Sequence, residues 1–415
     1  MIFIPLFIFL LTLYQYMKHG MFAALLYLIA TKSIVDVFWN TKYGPLSIVS
    51  LHGILILLMF IPILRHKKML SKKWNSTANY YLFALIISII LYVFTDPFLA
   101  IEIFIIAVTA YLGFFIIPVL VNDRQKLRKM LIAFMISGIF PAVICIYQYT
   151  VGATFGDLEL RKTVGLTRFV GLYHDAFPNR FYGLITIFSI LMFTNHFYFK
   201  KILYKLLMFA IAFLSIFSIY LVFSKAGIAI LLVWTTIIII YSQNKIRNTL
   251  LLLTMFIGLS YALGDLFIEN IEQLFSKETG YKNERNKDIR YTLAGRGFIW
   301  TDAWDQWLNR RFIFQFLGDG VSRGVHNEFF RIFLMNGVFG LLLLITFLFQ
   351  IIIKIRKSNK NIKMFGLMLF SMYLIDSIGL TPGIYYYYNI LVWGMLGLII
   401  TNPNLFNKNG LNDKK

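Results

Sequence analysis

Charge is scarce in this chain. Of its 415 residues, 14% are Asp, Glu, Lys or Arg, against 59% that are Ala, Val, Ile, Leu, Met, Phe, Trp, Tyr or Cys. A soluble domain carries roughly 25% charged residues, so one or two soluble domains are excluded. Acids are scarcer still, 19 against 40 basic residues, for a formal net charge of +21. Cysteine is reduced to Cys145, inside an apolar run, which excludes an intramolecular disulfide and a cysteine-rich metal site. No Pro/Gly/Ser linker, heptad or soluble repeat is present. GxxxxGK[ST], GxGxxG before a helix, DxD and HExxH are all missing, so the usual nucleotide and metal chemistries have no footing. Neither a metal nor a cofactor is expected.

What the chain has is long apolar runs. A helix needs about 20 apolar residues to cross a bilayer. Candidate spans lie at 2–17, 21–39, 46–64, 79–95, 98–121, 130–151, 178–198, 206–223, 226–242, 248–266, 327–353, 364–381 and 384–401. The expected fold is therefore all-α: a polytopic integral membrane protein, one transmembrane domain over 1–415, with about 12–13 helices. The start, MIFIPLFIFLLTLYQYMKHG, lacks a positive n-region and a small-residue cleavage site, and reads as a retained helix.

Nineteen of the 40 basic residues fall into five short loops, 65–73, 123–129, 200–205, 245–247 and 354–363. All five lie on one side if each intervening segment spans, and the positive-inside rule makes that side the cytoplasm, with the C-terminus there too. The whole charge excess falls on this side, so it sets orientation and is no argument for nucleic acid. The expected location is the bacterial inner membrane, in contact with its lipids. The periplasmic side holds a loop at 152–177 and a long loop at 267–326, the only stretch large enough to fold outside the bilayer. Within it, FIWTDAWDQWL has helical spacing of its apolar residues and reads as an amphipathic helix. Its Trp300, Trp304 and Trp307 suit an interfacial anchor or a platform for stacking sugars.

Polar residues collect on this outer face in three clusters. One runs from Arg168 to Arg180 and includes His174 and Asp175. A second is Gly295-Arg296-Gly297. The third, from Gly318 to Arg331, holds Arg323, His326, Asn327 and Glu328 and leads straight into a span. ATP is absent outside the cytoplasm, so chemistry here needs a substrate that arrives activated, and a lipid diphosphate has a good leaving group and a tail suited to the bilayer. A neutral His326 beside such an anion can act as general base.

G-R-x-x-I-W at 295–300, then H-N-E at 326–328, then N-G-x-x-G at 336–340, together with R-x-x-G and a Pro-Asn pair at 168–179, resembles the O-antigen polymerase/O-antigen ligase family. The recognisable motifs cover roughly 168–350. The resemblance implies metal-independent, inverting transfer of an oligosaccharide from undecaprenyl diphosphate. It implies His326 as the histidine that activates the acceptor hydroxyl, and Arg168 and Arg296 as holders of the diphosphate, with Arg323 a further cation. In that family an arginine often follows the serine of a short outer turn. Here the turn reads Ser224-Lys225, and lysine can serve as a point charge but cannot make the bidentate fork.

Within the spans, Lys32 and Asp36 are spaced i,i+4 and can pair, while Asp376, near the Thr381-Pro382-Gly383 turn, can line the outward site. His174, Asp175, Arg180, Asn327, Glu328, Arg331 and Asp376 complete the set of candidates. Three functions follow: a polymerase joining lipid-linked glycans, with a possible chain-length regulator as partner; a ligase with a lipid A core as acceptor; or a flippase for the same lipid-linked oligosaccharide. Few ionisable groups lie mid-span and no symmetry relates the two halves, which argues against transport.

Overall fold

The protein, described by a computed structural model, is built from helices. The structure describes residues 3–44, 46–64, 75–153, 161–163, 166–197, 201–241, 266–280 and 292–406, with isolated residues between 245 and 264. The basic loop at 65–73, most of the expected span at 248–266 and the basic C-terminal residues from 407 on lie outside the described residues.

In chain order the helices are α1 (Phe3–His19), α2 (Met21–Val35), α3 (Ile48–Leu64), α4 (Asn75–Val93), α5 (Pro97–Leu120), α6 (Arg124–Val151), α7 (Ala176–His196), α8 (Ile202–Leu221), α9 (Lys225–Tyr241), α10 (Leu266–Gly280), α11 (Thr292–Leu308), α12 (Phe312–Leu317), α13 (Glu328–Lys357), α14 (Lys360–Gly379) and α15 (Tyr386–Thr401). Two short antiparallel ribbons join them, β1 (Lys42–Tyr43) with β2 (Leu46–Ser47), and β3 (Arg161–Thr163) with β4 (Leu166–Arg168). Six described helices are long and apolar enough to cross a membrane, and large apolar side chains such as Leu203, Leu206, Leu232 and Phe349 face outward. A surface of that kind is stable in lipid and not in water, so the chain is a multi-pass membrane protein.

Helix starts follow local rules. Asp96 caps α5 by accepting from Leu99 N at 3.0 Å, with Pro97 in the first turn, and Asp123 caps α6 through Lys126 N at 2.8 Å. Inside the bundle α15 lies against α5. Gly113 faces the Ile390 backbone and Gly397 the Phe114 backbone, so small residues let the helices approach where lipid offers no hydrophobic drive for association.

Two sets of contacts define the ends of the bundle. At one end Arg124 Nη2 donates to His196 O at 3.1 Å and Asn402 Nδ2 to Pro118 O at 2.6 Å. This is the end of the basic loop at 123–129. At the other, Tyr173 Oη donates to Ser33 O at 2.7 Å and Trp39 stacks on His174 at 4.0 Å. The polar clusters of the sequence gather at this second end.

The segment expected as one span over 327–353 is broken. Gly337 has φ 68° and ψ −175° inside α13, a left-handed setting open to glycine and strained for other residues. The Phe316 carbonyl packs where a Cβ on Gly337 would sit. The carbonyls released by the break find other donors: Arg310 Nη1 reaches Leu334 O at 2.7 Å and Gly320 N reaches Met335 O at 2.9 Å. Asn336 Nδ2 donates to Ser88 Oγ of α4 at 2.6 Å. Residues 338–357 alone reach roughly 30 Å at 1.5 Å per residue, so the piece from 328 to 336 is released from spanning and serves the outer end.

Candidate functional site

The site is built on the first turns of α7, α9 and α13 and the last turn of α14. Asp175 precedes α7 and accepts from Ala176 N at 2.6 Å. Asn327 caps α13, accepting from Phe330 N at 2.9 Å and donating to Ile378 O of α14 at 3.3 Å. Both residues carry capping duty, which fixes where their neighbours point.

Arg180, one turn into α7, is the best-held cation. It is buried with 2% of its surface exposed. Its Nη2 pairs with Asp376 of α14, and its Nη1 donates to Ser224 Oγ at 2.8 Å. Phe177 lies 5.1 Å from the guanidinium carbon, and the side chain crosses Gly227, where a Cβ would stand 2.9 Å from Arg180 Cδ. One arginine thus ties α7, α14 and the turn before α9. Asp376 lies at this outer end as a buried partner of Arg180.

His326 sits just before α13 with φ 50°, a left-handed conformation that is costly for a residue with a Cβ. Asn327 holds it from one side, and a Val325 N to Arg323 O bond of 2.9 Å from the other. Its ring is exposed. Protein packed around part of it lowers its pKa from 6.5, the positive charge of Arg296 lowers it further, and Asp175 opposes both. Residues from three distant segments therefore act on one imidazole, which is neutral at pH 7. Arg296, in α11, also reaches α14: its Nη1 lies 3.5 Å from where a Cβ on Gly379 would stand.

The remaining candidates divide by what they touch. Arg168, at the end of β4, donates from Nη2 to Phe223 O in the turn before α9 at 3.4 Å. Lys225, the first residue of α9, holds its ammonium 5.4 Å from the Phe275 ring centre in α10. Arg323 is engaged with Asp319 at 3.0 and 2.7 Å, and Arg310 approaches the same carboxylate at 3.4 Å. Glu328 and Arg331 form a buried pair at 2.6 Å, and Glu328 also accepts from Gly383 N at 3.2 Å, which locks α13 to the turn before α15. His174 is stacked on Trp39. The structure thus couples His326 electrostatically to Arg296 and Asp175, while Arg180, Asp376, Glu328 and Arg331 tie helices of this end together. Among the described residues no cluster of three His, Cys, Asp or Glu side chains has metal-binding geometry.

Sequence reasoning named Ser224 only as the residue before Lys225, and did not name Tyr182 or Tyr385. Ser224 joins Arg180 across 44 residues. Tyr182 Oη donates to Asp36 Oδ2 at 2.5 Å, beside the Lys32–Asp36 ion pair. Tyr385 stacks on Phe177 at 4.4 Å. No local spacing announces these contacts, although Tyr182 and Arg180 share the early turns of a helix that starts with a capped Asp. No protein-family model matches the sequence, and no curated protein matches it.

Proposed function

We propose that the chain is a metal-independent glycosyltransferase of the bacterial inner membrane. It acts as an O-antigen polymerase, moving a glycan from undecaprenyl diphosphate onto a second lipid-linked repeat unit at the periplasmic face. The observation that carries this reading is His326, exposed and strained before α13, its pKa lowered by partial burial and by the charge of Arg296 against the pull of Asp175, at the end of the bundle away from the basic loop at 123–129. The positive-inside rule puts that loop in the cytoplasm. The outer end then faces the periplasm, the C-terminus is cytoplasmic, and helices α1–α9 and α13–α15 cross the membrane.

In this reaction the acceptor hydroxyl attacks the anomeric carbon from the face opposite the diphosphate. The new C–O bond forms as the bond to the phosphate oxygen breaks, and the configuration inverts. His326 takes the hydroxyl proton, and undecaprenyl diphosphate leaves with the bonding electrons. Negative charge grows on the leaving oxygens, and the fixed cations Arg296 and Arg168, with Lys225 on the neighbouring turn, stabilise it more in the transition state than in the ground state.

Deletion of the gene followed by gel analysis of surface lipopolysaccharide tests the function. Core bearing a single repeat unit is expected. Bare core instead indicates the ligase or the flippase, and transfer between purified lipid-linked substrates by the reconstituted protein separates those two. The acid limb of the rate profile tests the base. A lowered pKa keeps His326 unprotonated as pH falls through 6.5, so activity persists there and is lost only at the lowered value. Arg296→Gln removes a cation that lowers the pKa, so its acid limb moves up, while Asp175→Asn moves it down. A limb that stays fixed in both variants removes His326 as the base.

A further inference from the structure

Beside His326 lies an open groove of about 380 Å³, lined by Trp300, Thr301, Trp304, Asn327 and Phe330. Its aromatic wall is braced by contacts within the protein. Trp300 Nε1 donates to Val325 O at 2.7 Å. Trp304 stacks on Trp307 at 5.0 Å, and both pack on Phe333 of α13, at 5.7 and 4.7 Å. Trp304 nevertheless leaves 44% of its surface exposed. A bilayer anchor needs only an indole at the interface, whereas these rings are pinned against α13.

Position says what the groove is for. Arg296, Trp300 and Trp304 recur every four residues, so they share one face of α11, over roughly 12 Å of helix. The groove thus continues the line that begins at the cation proposed to hold the diphosphate. Asn327, which lines it, directly follows His326 in the chain, and Val325, whose carbonyl accepts from Trp300, directly precedes it.

We propose that this groove is the acceptor subsite, in which a pyranose of the incoming repeat unit stacks its C–H face on Trp304 and Trp300 and turns its hydroxyl edge towards Asn327 and His326. Aromatic faces beside an amide and a hydroxyl suit a sugar, which is apolar on its faces and polar at its rim. A prenyl chain would gain nothing from Asn327 or from Thr301. The proposal rests on the glycosyltransferase reading, and its test separates the two.

The full-length protein in detergent is titrated with two probes: the host's oligosaccharide repeat unit, freed from lipid by mild acid, and undecaprenyl phosphate. The oligosaccharide is expected to bind the wild type. Trp304→Ala should weaken it about tenfold, Trp304→Phe should keep most of the affinity, and undecaprenyl phosphate should bind both proteins equally. In the transfer assay, Trp304→Ala should raise the acceptor KM with the donor KM unchanged. Oligosaccharide affinity unaffected by Trp304→Ala, or no oligosaccharide binding at all, overturns the subsite. So does loss of undecaprenyl phosphate binding, which would make the groove a lipid slot. Oligosaccharide binding that depends on Trp304 in a protein that transfers no glycan keeps the sugar site and overturns the polymerase.

Discussion

Strains carrying His326→Ala are expected to make no polymer while the protein remains in the membrane at normal level. A positioned general base contributes about 10²–10⁴ in rate, so residual transfer by the purified variant should fall by about a hundredfold or more. Stability does not explain such a loss. The ring is exposed, so little packing goes with it. The backbone there has φ 50°, which favours glycine and asparagine over alanine, and His326→Gly and His326→Asn are therefore expected to insert and melt like the wild type. Both should be as inactive as His326→Ala. Full-length polysaccharide from any of the three strains would sink the assignment.

The second large effect belongs to Arg180 and Asp376. Each is almost wholly enclosed, at 2% and 1% exposure. Removing either partner strands the other charge in a low-dielectric interior, at a cost of about 3–5 kcal/mol. Arg180→Ala and Asp376→Ala should each lower the melting temperature in detergent sharply and reduce the amount of protein in the membrane. Arg180→Met with Asp376→Asn removes both charges and nearly keeps the volume, and much of the lost thermal stability should return. Activity should not return with it, because Arg180 also holds Ser224 and with it the turn that leads to Lys225. A double variant no more stable than the worse single one would show that the two residues do not act as a pair.

The helices were legible where the chain carries its own punctuation. Asp96-Pro97 and Asp123 are caps that can be recognised in isolation, and Thr381-Pro382-Gly383 interrupts two apolar runs. The break at Gly337 was not legible, because apolar residues continue on both sides of it and the Phe316 carbonyl that packs against it comes from a separate helix. The site followed the same division. His326, Arg296 and Asp175 stood out because polar residues are rare in such a chain. The Arg180–Asp376 pair spans 196 residues, and a separation of that size leaves no periodicity to read. Asp175 and Asn327, picked out by their chemistry, also proved to be caps, a role that Asp and Asn fill at helix starts of any function.

The link between Asp36 and Tyr182 also bears on how the protein is made. Lys32 supplies the counter-ion for Asp36 within one turn of α2, so that helix can enter the bilayer as soon as it leaves the ribosome. Tyr182 follows Asp36 by 146 residues. At 5–20 residues per second it emerges roughly 7–30 s later. For that interval the nascent α1–α2 hairpin holds a carboxylate with one oxygen unsatisfied by Tyr182. The arrival of α7 then closes the network and joins the earliest part of the chain to the helix that carries Arg180.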